Sequence, residues 1–308
     1  MKVIENILES TAPVPHVVLT IGSFDGVHLG HQRILEEVAV AAHEANGTPA
    51  VMTLQPHPRE VFSPNHAPNL LTTHTKKLEL LHKAGIQAVF VLPFTKATAG
   101  LDPRVFFDTI ILGRCRAAHL LVGHDFRFGN NGAGDYHLLA EMGRGRGIKV
   151  TQVPPLLIRG ERVSSTAIRE RILEGDLENA EEYLGRKYAL TGEVFTGRHI
   201  GAALGFPTAN IKPYHNAVPP HGVYASEVRV GGESHLAAVN IGIAPTIRHE
   251  DITIEAHLLD FSRDIAGAEI EVVFHTRLRP ERRFPSREDL VIQIGKDIQA
   301  VRAYFDAP

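Results

Sequence analysis

The sequence predicts an α/β half built on a parallel sheet, followed by an antiparallel β-barrel that ends in a helix. Three observations carry that expectation. Through the first 185 residues, short apolar runs alternate with stretches whose apolar residues recur at helical spacing, the pattern of strands connected through helices. A glycine-rich turn, Gly22-Ser23-Phe24-Asp25-Gly26-Val27-His28-Leu29-Gly30-His31, joins one such strand to one such helix. From about Tyr188 the chain changes to β-rich runs with Gly231-Gly232 as a hairpin turn.

Val17, Val18, Leu19 and Ile21 mark a core strand at 17–22, and Ile34, Leu35, Val38, Ala41, Ala42 and Ala45 mark a helix over 30–46 that Gly47 ends. Strands follow at 50–54 and 88–92, with a helix at 75–84 between them. Asp102-Pro103 reads as a cap with proline at the first helical position, opening a helix through Leu112. A strand at 119–122, a helix near 135–142 and a strand at 148–153 complete the sheet, and an acidic helix at 176–184 leads to a boundary near Gly185-Arg186-Lys187. Runs at 190–196, 222–230, 235–243, 252–259 and 269–275 build the barrel, and a helix near 286–305 closes the chain. In such a parallel sheet, ligands gather at the carboxyl ends of the strands, where the strand order switches. The glycine-rich turn is expected at such an end.

Composition narrows the classes. The 308 residues are 44% hydrophobic and 22% charged, a globular chain long enough for two cores. A formal net charge of -3 argues against a general nucleic-acid binder, which shows a basic excess. One cysteine, Cys115, excludes an internal disulfide and fits a reducing compartment. Met1 to Ser10 carries no apolar signal core, and no apolar run approaches the roughly 18 residues that span a bilayer. The expectation is a cytoplasmic chain with small-molecule ligands and no nucleic-acid or membrane partner; assembly into oligomers is left open.

The turn at Gly22 to His31 is built for an anion. Gly22, Gly26 and Gly30 permit conformations and close approaches that a Cβ blocks. The following helix offers unpaired N–H groups and a positive dipole end, and His28 and His31, three apart, share a face. Two bland readings compete. A zinc pair needs further ligands, and the histidines could simply pack in the core. The strand-turn-helix context favours phosphate, although no Walker lysine follows and no dinucleotide fingerprint is present. Asp25 either joins the ligand or fixes the turn through its carboxylate.

Further stretches extend this reading. Ser164-Ser165-Thr166-Ala167-Ile168-Arg169 places three hydroxyls at a helix start with Arg169 one turn inside, although at least one hydroxyl is an ordinary N-cap. Gly123-His124-Asp125-Phe126-Arg127-Phe128-Gly129 ends a strand; it forms a platform for a flat ring, or its phenylalanines close the core. Gly205-Phe206-Pro207-Thr208-Ala209-Asn210 puts Thr208 and Asn210 on one side of an extended backbone, offering the oxygen ligands Mg²⁺ prefers.

Together with Pro56-His57-Pro58, these motifs resemble the adenylyltransferase module of prokaryotic bifunctional FAD synthetases, and the second half resembles their riboflavin kinase module. The resemblance covers almost the whole chain. It implies a Rossmann-like nucleotidyltransferase domain at 1–185 and a riboflavin kinase barrel at 186–308. The implied reactions phosphorylate riboflavin to FMN and transfer AMP from ATP to FMN, giving FAD, with Mg²⁺ serving both. By the same resemblance, Gly22, Phe24, Asp25, His28, Gly30, His31, Ser164, Ser165, Thr166 and Arg169 serve ATP in the adenylyl step, with His28, His31 and Arg169 catalytic. His124, Asp125, Phe126 and Phe128 lie near the flavin. In the kinase half, Gly201 and Gly205 serve ATP, Thr208 and Asn210 hold Mg²⁺, and Glu255 is the base. Residues 278–284, with Arg279 and Glu281, form a flap over the flavin.

Elementary chemistry fits that division. The FMN phosphate, with a second pKa near about 6, is already ionised and needs alignment more than a base. A riboflavin hydroxyl is a poor nucleophile and needs a carboxylate. Ala202, Ala244 and Ala266 stand where the resembling family commonly has Arg, Arg and Tyr, and Arg198 or Arg248 are the local candidates to replace the lost charge. The alternatives are an adenylyltransferase whose barrel is a weak kinase or a flavin-binding regulatory module, an adenylyltransferase for another phosphorylated metabolite, and a flavin-binding regulator of nucleic acid.

Overall fold

The computed structural model describes residues 1–10, 13–64, 67, 69–197, 201, 204–214, 217–245 and 250–307. Internal contacts divide the chain into two compact units, residues 1–68 with 74–164 and residues 69–73 with 165–308. This division precedes residue 185, because the two helices after Ser164 pack with the second unit.

In the first unit β1 (Lys2–Ile4), β2 (Val17–Ile21), β3 (Thr48–Gln55), β4 (Ala88–Pro93), β5 (Ala117–Gly123) and β6 (Lys149–Val153) form one sheet in the order β1-β4-β3-β2-β5-β6. Every neighbouring pair is parallel. A sheet covered on both faces needs strands that are apolar nearly throughout, and β2 is buried at all five of its residues, with Thr20 its one polar side chain. Leu19, Phe90 and Leu120 enter one core, while Val18, Val89 and Leu121 enter the core on the opposite face.

The helices of this unit are α1 (Leu29–Glu44), α2 (Pro58–Phe62), α3 (His74–Lys83), α4 (Lys96–Ala99), α5 (Pro103–Phe106) and α6 (Tyr136–Arg144). A short hairpin pairs β7 (Leu157–Ile158) with β8 (Glu161–Arg162). Asp102 caps α5 as expected, accepting from the Arg104 N–H at 2.8 Å. The helix expected to run through Leu112 instead widens to π geometry over Phe107–Arg114, burying Phe107, Ile110 and Ile111. The chain lays β3 and β4 on one side of β2, then crosses to lay β5 and β6 on the other. The order therefore switches at β2. The β2–α1 turn and the loop after β5 both leave the carboxyl edge there, as the sequence pattern requires.

The second unit begins with α7 (Ser165–Glu174) and α8 (Leu177–Leu184). It continues with β9 (Ala189–Phe195), β10 (Ala209–Pro213), β11 (Gly222–Val230), β12 (Glu233–Pro245), β13 (Glu250–Leu258) and β14 (Glu269–Pro280). These strands close into an antiparallel barrel in the order β10-β13-β12-β11-β14-β9. Gly231 and Gly232, at φ 59° and 86°, make the expected hairpin turn between β11 and β12. The sequence pattern does not foresee β10: it buries only Ile211 fully and ends in proline, and its pairing with β9 and β13 defines it.

The terminal helix α9 (Arg287–Asp306) lays Val301 against Ala225, Ala238 and Leu259. Beside that contact the Arg279 guanidinium donates to Asp297, with Nη2 at 2.7 Å and Nε at 2.9 Å, and Gln293 donates to the same carboxylate at 2.7 Å. The Asp297 side chain is 7% exposed and that of Arg279 17%. Asp297→Ala strands a largely desolvated guanidinium. The second unit should lose about 3 kcal/mol, read as a lower denaturant midpoint at unchanged slope.

Candidate functional site

The β2–α1 turn follows a left-handed path that its own apolar side chains hold in place. Phe24, Gly26 and Val27 have φ of 51°, 82° and 40°. A β-branched residue in that region is strained by about 1–3 kcal/mol. Phe24 and Val27 are each 2% exposed, packed in the core with Leu35 and Val38, and that burial offsets the strain. At the end of the turn His28 caps α1, its Nδ1 accepting from the His31 N–H at 3.3 Å. The two imidazoles stack with centroids 3.7 Å apart and planes 17° from parallel. Phe24 lies 5.0 Å from the His31 ring. A Cβ at Gly30 would stand 3.2 Å from the His28 ring and 3.3 Å from the Val163 carbonyl oxygen, so glycine is what lets the ring lie over the helix start. At Gly22 a Cβ would come within 3.1 Å of the Phe24 ring. His28 is buried and His31 half-buried, so the stack presents one accessible ring beside the first N–H groups of α1.

The loop after β5 leaves the neighbouring strand. His124 and Asp125 are exposed; Asp125 accepts from Arg162 Nη2 at 2.6 Å and lies 3.7 Å from His124. Arg162 holds the Asp125 carboxyl below the usual carboxylate range against the opposing effect of partial burial. Phe126 stacks on Phe128 at 5.5 Å, and Phe128 packs in turn on Phe106 at 5.9 Å. The two expectations for these phenylalanines divide between them: Phe128 is buried and closes the core, while Phe126 keeps an accessible face. Phe62, at the end of α2, is 59% exposed and meets Phe94 edge-on at 5.7 Å.

Ser164 ends the first unit, whereas Ser165, Thr166 and Arg169 lie on α7 in the second. Ser164 and Ser165 are half-buried, Thr166 is exposed and Arg169 is buried.

In the barrel, register does what sequence spacing could not. Asn210 on β10 faces Glu255 on β13, which faces Asn240 on β12, which faces Val223 on β11, which faces Arg279 on β14. The neighbouring positions Ile211, Ile254 and Ile241 are buried, so by the alternation of strands Asn210, Glu255 and Asn240 lie side by side on the outer face. Burial raises the Glu255 pKa above the usual carboxylate range, and among the described residues no charged neighbour offsets it. Gly197 packs against this row and Gly201 against the segment before β10: a Cβ at Gly197 would overlap the Asn210 amide, and one at Gly201 would overlap the Phe206 carbonyl and stand 3.1 Å from Thr208 Oγ1. His257 lies within hydrogen-bond distance of the Pro207 carbonyl, Nδ1 at 2.8 Å, and so fixes the same loop. Gly205 adopts φ 86° with open space around it. The Glu281 carboxylate rests against Gly242, next to Asn240 on β12.

The expected flap at 278–284 is only partly a loop. Leu278 to Pro280 end β14, and Arg279 is bound to Asp297. Ala202, Arg198 and Arg248 lie outside the described residues, as does the side chain of Ala244; Ala266 is exposed in a turn held by Asp264.

The FAD synthetase family profile matches residues 11–167, and the riboflavin kinase profile matches residues 184–305. A bifunctional riboflavin kinase/FMN adenylyltransferase of Haemophilus influenzae is 36% identical over 308 residues, covering 100% of both chains. This chain belongs to the bifunctional riboflavin kinase/FMN adenylyltransferase family. As a member, it is an enzyme with both activities. The Escherichia coli K12 protein of the same description is 38% identical, covering 99% of this chain and 98% of its own. A crystal structure named for a macrolide-efflux protein of Streptococcus pneumoniae superposes with a TM-score of 0.86 at 28% identity, covering 97% of this chain and 98% of that one. No helix among the described residues is long and apolar enough to cross a membrane.

Three residues that the sequence reading passed over stand in these places: Arg162 on Asp125, Asn240 beside Glu255, and Lys77, whose Nζ is 3.1 Å from the Ser23 carbonyl oxygen. Lys77 left a signal, since it falls four residues before Leu81 on the buried stripe of α3. Gly201→Ala pushes the Phe206 carbonyl and with it Thr208. It should raise KM for ATP in FMN formation by about tenfold or more while FAD formation from supplied FMN is unchanged, as steady-state kinetics of the two reactions will show.

Proposed function

We propose that the two activities divide between two sites: adenylyl transfer to FMN at the β2–α1 turn, and phosphorylation of riboflavin at the outer row of Asn210, Glu255 and Asn240. The functional boundary lies at residue 185, with an FMN adenylyltransferase part at 1–185 and a riboflavin kinase part at 186–308. The observation that carries the first assignment is the His28–His31 stack at the N-terminus of α1, reached through a turn whose glycines leave room for close approach.

In the adenylyl step the FMN phosphate attacks the α-phosphorus of ATP and pyrophosphate leaves. His31, the α1 N–H groups and His28 supply donors to the phosphate oxygens as charge moves to the leaving group. Asp25 fixes the turn. Ser164, Ser165, Thr166 and Arg169 keep the ATP assignment that their sequence motif gives them. Phe126, supported from below by Phe128, offers its face to the flavin ring, with His124 and the Arg162-held Asp125 at the edge.

In the kinase step Glu255 accepts the proton of the riboflavin hydroxyl as that oxygen attacks the γ-phosphorus of ATP, the bond to the β–γ bridging oxygen breaks and ADP leaves. Its raised pKa makes it the stronger base once ionised. Thr208 and Asn210 suit Mg²⁺, because both carry neutral oxygen, two residues apart on the extended segment that enters β10, and Mg²⁺ takes few protein ligands. When bound there, the cation neutralises phosphate oxygens of ATP. Gly201 and Gly205 shape the backbone that faces ATP, and Glu281 borders the flavin side, with Arg279 acting as the anchor of that edge. A cytoplasmic location is supported by the ATP and flavin substrates and by the solitary buried Cys115, which suits a reducing compartment.

Each assignment is tested by measuring both reactions on each variant. His31→Ala should lower FAD formation from supplied FMN on the order of 10²-fold and leave FMN formation intact. Glu255→Gln should lower FMN formation by about 10²- to 10⁴-fold and leave the FAD step intact. Equal loss of both activities in a folded variant overturns the division. The pH profile adds a sign: a carboxyl group raised by burial stays protonated to higher pH, so FMN formation should fall as pH drops through a value above the ordinary carboxylate range. Glu255→Gln should abolish that acid limb.

A further inference from the structure

Lys77 stands behind the β2–α1 turn. It lies on α3 and is 7% exposed. Its Nζ donates to the Ser23 carbonyl and to Thr53 Oγ1, each at 3.1 Å, and the Thr53 hydroxyl donates to the same carbonyl at 3.3 Å. Thr53, on β3, is fully buried. Both direct acceptors of the ammonium are neutral. Burial lowers the Lys77 pKa, while the nearby carboxylates of Asp25 and Glu60 act to raise it. Placing an ammonium here costs desolvation, and a methionine of similar length would fill the same space on α3 without that cost. What the ammonium adds is specific to this position: it pins the carbonyl of the residue just before left-handed Phe24, and it puts a fixed positive charge behind Ser23-Phe24-Asp25.

We propose that Lys77 is a positioning residue of the adenylyl-transfer step. Through the Ser23 carbonyl it holds the path that brings His28 and His31 to the start of α1, and its charge favours the polyphosphate of ATP at that face. The inference rests on the turn being the ATP-phosphate site. It names a residue that touches the turn and not the substrate.

The test uses the full chain, whose FMN formation reports independently on the second unit. Lys77→Met should raise KM for ATP in FAD formation by about tenfold or more and leave KM for FMN within about twofold, with FMN formation unchanged. Lys77→Arg, which keeps the charge, should recover most of the loss. If Lys77→Met removes the melting step of the first unit, Lys77→Gln replaces it, keeping a donor for Ser23 without the charge, and the same rise in KM for ATP is expected. An unchanged KM for ATP, or equal losses for ATP and FMN that arginine does not rescue, overturns the proposal. His31→Ala run alongside separates two failures. If His31→Ala impairs FAD formation and the Lys77 variants do not, only the Lys77 role is lost. If all are silent, the ATP-phosphate assignment of the turn falls with it.

Discussion

Burial of Phe24 and Val27 fixes the β2–α1 turn. Both residues hold backbone angles that L-residues avoid, and both are 2% exposed in the core beneath α1. Burying two such side chains contributes roughly 1.5–3 kcal/mol each, enough to offset the strain of the turn. The consequences run outward from there. Because the turn is held, His28 arrives as the cap of α1, His31 stacks on it, and the two rings stand together at the positive end of a sixteen-residue helix. The same core that stabilises the α/β unit therefore shapes the backbone proposed to meet the ATP phosphates.

The barrel solves a related problem by register. Its six strands close without an edge, so each outward residue has fixed neighbours on both sides. Glu255 is thereby set between Asn210 and Asn240, two polar neighbours in a place buried enough to raise its pKa. A shift of one residue in β13 would turn Glu255 into the barrel and bring Ile254 out. The buried isoleucines Ile211, Ile241 and Ile254 forbid this slip and so hold the carboxylate on the outer face.

Much of this was legible in the chain because periodicity reports burial directly. The near-continuous apolar run of β2 and the helical spacing of α1 place the turn between them with no tertiary information, and the Gly231-Gly232 pair marks its hairpin. The reading faltered where local pattern and tertiary context differ. The five residues of β10 alternate too briefly to show as a strand, and only pairing with β9 and β13 makes them one. Phe128 and Phe126 look equivalent in sequence, yet only contact with Phe106 decides that the first is core and the second is available. Arg279 reads as a mobile basic residue until Asp297, on a helix that follows it, clamps its guanidinium.

The sequence by itself determined the order of elements and the change from helix-linked strands to a barrel, and it supplied the residue types of both proposed sites, because these depend on spacing along the chain. Which side chains meet was decided only by the tertiary structure. The row through Asn210, Glu255 and Asn240 joins three strands, and the Lys77 contact with Ser23 spans 54 residues. Such meetings depend on strand register and on the packing of separate elements against a common core, and no window of neighbouring residues records either.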